Sequence, residues 1–466
     1  MTDYGDVPIV VRGALADGHQ PTDSGNADRF VALADGRVRY VAAWGKWIVY
    51  EDGCWVDDHR DVVVTERARE MARKLRRLAA TTEGEAGDLL WGHAKRCEKA
   101  ATIAAMLHLA RGVEGVLTDH ESFDVDPYLL NVANGTVDLR TGELRAHNPE
   151  DLLTKQTTAR YDADAPSPLW DRCLEEWHPD PDMRVFLQRV MGTAITGYPL
   201  ERLLVNWGSG ANGKSKFYGA IMAALGPYAI VGHKSLFVAQ AHEEHATHKA
   251  ELFRRRLVLG PETKQGDRLA EELVKILTGG DRIEARRMRE DPWYFDPTHT
   301  AAVHTNHRPN VQGTDEGIWR RLVLIPWTVT IPEADRDDDL AKKLAAEAPG
   351  ILRWLVEGAV AWLADGKKLH EPQQVTDATD AYRHDEDQIG RFLAECCQVD
   401  PRCEVRASQL YDLYSNWCRI GGEPVSTNNS FGRDLTARGY ESTNRGGVKW
   451  RQGLGVQMVI PPDQQF

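Results

Sequence analysis

The sequence predicts an α/β chain in three parts: a core of apolar strands alternating with helices, an α+β accessory unit before it, and a C-terminal unit whose helices run into a β-hairpin in winged-helix-like order. Three observations carry this expectation. A glycine-rich turn, GSGANGKS, lies between an apolar run and a helical segment; short apolar runs recur from Leu203 to about Pro332; and helical spacing dominates the flanking regions.

The first unit, residues 1–165, mixes β-rich pieces (RVRYVAAW, KWIVYEDGCWV) with helical spacing from Val64 to Arg111. Turn-formers in AHNPEDLLTKQTTARYDADAPSPLW, with Pro166 and Pro168 close together, predict a connector near 150–168. The core spans 166–370, opens with two helical stretches and closes with helical spacing over Asp337–Lys367. A Pro- and charge-rich connector is expected around Glu371–Asp387, at the start of the last unit, 371–466. That unit reads as helices at QIGRFLAECC, SQLYDLYSNWC and NNSFGRDLTARG, the last capped by Ser426, with two β-like pieces from Lys449 to Ile460. Arg433 and Arg438 on its third helix, and Arg445, Lys449 and Arg451 near the wing, make it a candidate duplex or protein contact. Trp417, Trp450 and Tyr414 are expected in its core.

Bulk properties narrow the function classes. At 466 residues the chain exceeds the size of one growing hydrophobic core. Asp and Glu outnumber Lys and Arg by 70 to 57, and the net charge of −13 excludes a uniformly basic, DNA-coating protein, so any nucleic-acid contact must be local. No apolar run is long enough for a bilayer, and MTDYGDVPIV lacks a signal-peptide pattern, which predicts no membrane partner and a cytoplasmic location. Seven cysteines without CxxC spacing fit reduced thiols.

Gly208, Ser209, Gly210, Ala211, Asn212, Gly213, Lys214 and Ser215 match GxxxxGK(S/T) at every fixed position, with Lys216 next to them. Small residues let backbone N–H groups curl around phosphate oxygens at the positive end of the following helix. Lys214 is then expected on the β and γ phosphates of ATP and Ser215 on Mg²⁺. Downstream, the run Leu257–Leu259 ends at Pro261 and Glu262, where an acid can act on Mg²⁺ or on the attacking water. TAAVHTNHRP ends a second run at Asn306, a neutral group placed to orient water. GIWRRLVLIPW sets Arg320 and Arg321 ahead of a further strand, where a guanidinium can act as a finger across a subunit boundary. Between Glu262 and Asn306, GGDRIEARRMREDPWYF reads as a hairpin with a polar tip; Arg286, Arg287 and Arg289 on it, with Lys275 on the preceding amphipathic helix, are the candidate DNA contacts.

Taken in order and spacing, GSGANGKS, LVLGPE, LVKILTGGDRIEAR, HTNHRP and WRRLVLIPW resemble the motifs of superfamily 3 helicases, in particular the phage and plasmid primase-helicases related to poxvirus primase-helicases. LLNVANGTVDLRTGELRAHNPED, TDSGNADRFV and YRHDEDQIGRFL extend the resemblance over most of the chain. It implies an AAA+-like P-loop ATPase core in a bacterial host cell, assembled as a homo-hexamer that moves 3′ to 5′ on single-stranded and forked DNA. It further implies Lys214 and Ser215 as Walker A residues, Glu262 as the Walker B acid, Asn306 as sensor 1, and Arg320 or Arg321 as the finger. Two features depart from the family. Pro261 replaces the first of the two usual Walker B acids, and about two hundred residues before Lys214 leave no room for a catalytic primase, so a separate primase or polymerase is expected. An ATPase that loads or remodels replication proteins would share the same site residues.

Overall fold

The computed structural model describes residues 20–240, 247–286, 291–311 and 316–457. The N-terminal unit begins with helix Asp23–Ala34, capped by the Thr22 hydroxyl on the Gly25 N–H. Strands Cys54–Asp57, Lys46–Glu51, Val38–Val41 and Leu117–Thr118 form a small sheet in that order. The predicted helical stretch is three helices, Val62–Ala80, Glu85–Cys97 and Ala100–Ala110, which pack with Phe30, Trp47 and Val49 around a core containing Met71, Leu75 and Met106.

Strands Leu129–Val132, Gly135–Asp138 and Glu143–Arg145 then form a meander. Its inward residues Leu130, Val132, Val137 and Leu139 join the same apolar cluster as Trp170, Leu187 and Tyr218, so packing runs continuously across residue 165.

At the centre lie five strands: β1 (Leu203–Trp207), β2 (Ala229–Val231), β3 (Leu257–Gly260), β4 (Thr300–Thr305) and β5 (Leu322–Pro326). They pair in the order β5-β1-β4-β3-β2, all parallel. A parallel sheet is covered on both faces, which is why its strands read as unbroken apolar runs rather than as alternation. Leu204, Leu257, Leu259, Val323 and Ile325 face one cluster, with helices α1 (Pro181–Ala194), α2 (Lys214–Leu225) and α3 (Ala348–Ala364). Leu203, Val205, Val258, Val303 and Leu324 face the other. Helices α1 and α3 approach closely at Gly192, where a Cβ would come within 2.3 Å of the Gly358 and Ala359 backbone.

The hairpin expected between β3 and β4 is present as Ile283–Ala285 paired antiparallel with Trp293–Phe295. Its base packs on the N-terminal unit, where Trp293 meets Trp44 and His120 and Arg282 pairs with Glu121, while Phe253 of the core unit meets Trp293 as well.

Three expectations are corrected. The connector over Glu371–Asp387 is mostly helix, Gln373–Glu386, because Val375, Ala378 and Tyr382 recur at helical spacing and cover edge strand β5; the Thr379 hydroxyl accepts from the Leu324 N–H. A strand, Cys397–Arg406, stands between helices Gln388–Cys396 and Ala407–Gly421 and joins the hairpin strands Ser442–Arg445 and Val448–Val456 in one sheet. The third helix, Asn428–Ala437, is capped by Thr427 on the Ser430 N–H rather than by Ser426, whose hydroxyl hydrogen-bonds with the Tyr414 hydroxyl. The stretch 458–460 of the expected second β piece lies outside the described residues.

Candidate functional site

Because the five strands are parallel, the loops after β1, β3, β4 and β5 emerge at one edge of the sheet. Those loops bring together the glycine-rich turn, Glu262, Asn306 and Trp327. Gly208 is buried because a Cβ there would come within 2.2 Å of the Trp327 carbonyl oxygen. Gly210, Ala211 and Gly213 take positive φ (93°, 50° and 89°), and a Cβ on Gly213 would press the Trp177 ring at 2.4 Å. The backbone therefore doubles back tightly before α2, whose first residues are Lys214, Ser215 and Lys216.

Lys214 is 4% exposed, and its ammonium group donates to the Gly208 carbonyl (2.8 Å), Asn212 Oδ1 (3.0 Å) and Asn306 Oδ1 (3.3 Å). Burial pushes its pKa down to about 8, opposed by the charge of Glu262. Asn306 also donates through Nδ2 to Glu262 Oε1 at 2.6 Å, so one amide joins the cation to the acid. Glu262 and Ser215 are exposed at this edge, and Lys216 is half-buried. The strand ends are braced below: Thr263 and Thr305 share a 2.5 Å hydroxyl contact, and Thr263 donates to the His307 carbonyl.

Arg320 and Arg321 are not part of this cluster. Leu322 pairs with Leu203 and Pro326 with Trp207, so both arginines precede β5 at the opposite end of the sheet from the turn. Arg320 is exposed, whereas Arg321 is half-buried and donates to the Gly317 carbonyl at 2.6 Å.

Among the candidate DNA contacts, Arg286 follows the first hairpin strand and Lys275 is half-buried on helix Glu271–Leu277. Arg287 and Arg289 lie outside the described residues. In the C-terminal unit, Arg438 forms a bidentate pair with Asp387, and Arg451 is buried on Thr436, Tyr440 and Gly432, so both serve folding. Arg445 pairs with Glu404, while Arg433 and Lys449 are exposed along one groove.

The turn is also supported by residues that the sequence did not single out. The Trp327 carbonyl accepts from Asn212 Nδ2 (3.2 Å), and its indole N–H donates to Asn206 Oδ1 (3.0 Å). Asn206, buried in β1, donates in turn to the Tyr218 hydroxyl (2.7 Å). His178 packs its ring 4.3 Å from Trp327, and burial holds its pKa down to about 4, keeping the imidazole neutral. Trp327 is the one member with a sequence signal, since it ends the WRRLVLIPW block.

The donor set suits a polyphosphate with a hard divalent cation. Among the described residues the nearly buried ammonium group hydrogen-bonds to neutral oxygens, so an incoming anion would supply negative charge. The exposed oxygens of Ser215 and Glu262 are those Mg²⁺ prefers. Among the described residues no cluster of His, Cys, Asp or Glu is arranged to hold a metal without such a ligand, and all seven cysteines are free.

A parallel α/β sheet with a glycine-rich turn and an acid and an amide at neighbouring strand ends defines the class of this chain. Its relatives define the family. Residues 27–179 match the D5 N terminal like family, and residues 207–321 match a family of unknown function, DUF5906. A provisionally named helicase of Acanthamoeba polyphaga mimivirus is 27% identical over 324 residues, covering 63% of this chain and 33% of that protein. A provisionally named primase of African swine fever virus is 24% identical over 329 residues, covering 64% and 34%. Together these matches support a primase-helicase family member, and the chain spans about a third of the length of these curated relatives. Both relatives come from large DNA viruses. In fold, the apo C-terminal region of NrS-1 is similar, with a TM-score of 0.50 at 10% identity, covering 91% of this chain and 98% of that one. Among the described residues no helix is long and apolar enough to cross a membrane.

Proposed function

We propose that the chain is an ATP-driven DNA helicase of the superfamily 3, AAA+-like type, assembled as a hexameric ring that moves 3′ to 5′ on single-stranded DNA. The observation that carries this reading is the Lys214–Asn306–Glu262 chain of hydrogen bonds, built from the start of α2 and the ends of β3 and β4 at the mouth of the glycine-rich turn.

In this reading the backbone N–H groups of the turn and the start of α2 receive the phosphates. Lys214 exchanges its neutral oxygen partners for the β and γ phosphates. Glu262 takes the proton of the attacking water, and Asn306 holds that water in line. Ser215 and Glu262 would hold Mg²⁺, which neutralises charge on the phosphates. Arg320 serves as the finger in a neighbouring subunit's site, a choice supported by its exposure beside the half-buried, hydrogen-bonded Arg321. Lys275, Arg286, Arg287 and Arg289 contact the DNA strand. The exposed Arg433 and Lys449 make the C-terminal winged-helix-like unit a second contact.

The test is ATP turnover with and without single-stranded DNA, alongside strand displacement on a forked duplex, with Lys214→Ala as control. Stimulation by DNA together with displacement is expected, and both should vanish in the variant. Turnover indifferent to DNA, with no displacement, would leave the loader or remodeller reading in its place.

A further inference from the structure

The N-terminal unit carries a cationic surface that the motor does not use. Helix Val62–Ala80 buries Val64, Ala68, Met71, Ala72, Leu75 and Ala79, which turns Arg69, Arg73, Lys74, Arg76 and Arg77 to solvent. From Arg67 to Arg77 six cations stand against one acid, Glu70, in a chain of net charge −13. The adjacent helix Glu85–Cys97 sets Trp91 beside them, 43% exposed, with the Arg76 guanidinium 5.0 Å from its ring centroid. Arg73, Arg76, Arg77, Ala80, Trp91 and Glu98 line a groove of about 400 Å³.

Folding does not account for this arrangement, since the buried faces of both helices close the core without it. The carboxylates at hand are exposed: Glu66 bonds Arg69 and Arg73 at 2.8 and 2.7 Å, and Glu98 bonds Arg76 at 3.2 Å. Ion pairs in water hold their partners weakly, so a row of phosphates can displace them. An indole in water under a guanidinium offers an unstacked base a flat apolar face, and alternating cation and aromatic contacts are how proteins track a single strand. A duplex has no free base face to stack there.

We propose that this groove is a second binding site for single-stranded DNA, outside the motor, with phosphates on Arg73, Arg76 and Arg77 and a base on Trp91. The probe is oligo(dT) crosslinked by ultraviolet light to the unaltered full chain without nucleotide, with crosslinks located by peptide mass. Expected are crosslinks on the peptide containing Trp91. Replacing Arg73, Arg76 and Arg77 by Ala together should weaken oligo(dT) binding about tenfold or more and flatten the log–log salt dependence by about 2. Trp91→Ala should weaken it about tenfold and Trp91→Phe should restore most of the loss. Basal ATP turnover should not change in any of these variants. Crosslinks confined to residues outside the N-terminal unit would overturn the proposal, as would an unchanged affinity and salt slope in well-folded variants. Because the crosslink is read on the unaltered chain, the test does not depend on the variants folding or on the motor turning over ATP.

Discussion

The side-chain amide of Asn306 donates to the Glu262 carboxylate at 2.6 Å, and its oxygen accepts from Lys214 at 3.3 Å. The amide therefore ties the acid to the cation, and it stands where a γ-phosphate and its attacking water would have to fit. Each arm of the contact can be cut separately.

Glu262→Gln keeps the size of the side chain and a hydrogen-bonding oxygen but removes the basicity. Nucleotide affinity measured by a fluorescent analogue should stay within a few-fold of the unaltered chain. Turnover should fall roughly a hundredfold or more, the usual loss with a general base. Turnover near the unaltered rate would show that Glu262 does not act on the water.

Lys214 makes a proton-linked prediction. Its pKa in the free chain is lowered to about 8 by burial, and phosphates would raise it by stabilising the charged form. Binding a non-hydrolysable ATP analogue should therefore take up protons at pH values from about 8 upward, and affinity should weaken as pH rises through that range. Near pH 6.5 both states are charged at this group, and it contributes no uptake. Calorimetry at pH 8.5 in two buffers of different ionisation enthalpy measures the uptake directly. Binding enthalpies that agree between the buffers would mean that Lys214 is fully charged before the ligand arrives.

Gly213 and Gly210 both take positive φ, but they face different surroundings. A Cβ on Gly213 meets the Trp177 ring at 2.4 Å, while one on Gly210 has nothing nearer than Asn306 Oδ1 at 3.9 Å. Gly213→Ala should thus cost roughly 2–4 kcal/mol, from backbone strain and overpacking together. Gly210→Ala should cost about 1–2 kcal/mol, from strain alone. Denaturant unfolding of both variants measures the difference, and equal losses would place Trp177 away from the turn.

Four strands of the central sheet could be read because burial on both faces makes them uninterrupted apolar runs, whereas the short edge strand β2, partly exposed, leaves no such run; the glycine-rich turn could be read because its backbone admits few other residues. Helix Gln373–Glu386 was harder, since Val375 and Tyr382 are its only buried side chains and, apart from Ala378 and Ala381, the rest is charged or polar. Strand Cys397–Arg406 was hidden by Asp400-Pro401, a turn-like pair that sits at an irregularity in its pairing. Trp177, Asn206 and Tyr218 support the turn through single contacts that leave no spacing pattern behind. The position of Arg320 was concealed for another reason: only the strand register tells which end of the sheet a residue occupies.

That register makes the finger prediction sharp. The turn leaves β1 after Trp207, whereas Arg320 and Arg321 enter β5 beside Leu203. Five parallel residues at about 3.3 Å each separate them by roughly 16 Å along the sheet, beyond what an arginine side chain spans toward its own turn. A finger at either position would therefore act on a neighbouring subunit, and hydrolysis is then expected to require assembly. Lys214→Ala subunits have a dead site and intact arginines; Arg320→Ala subunits have an intact turn and no finger. Each alone should be inactive, but mixtures should hydrolyse ATP at interfaces that pair an intact turn with an intact Arg320, and the rate should peak at intermediate mixing ratios. Sizing of the same mixtures confirms co-assembly. If co-assembled mixtures stay at background, Arg320 is not the finger; repeating the mixture with Arg321→Ala then decides whether its hydrogen-bonded neighbour takes that role.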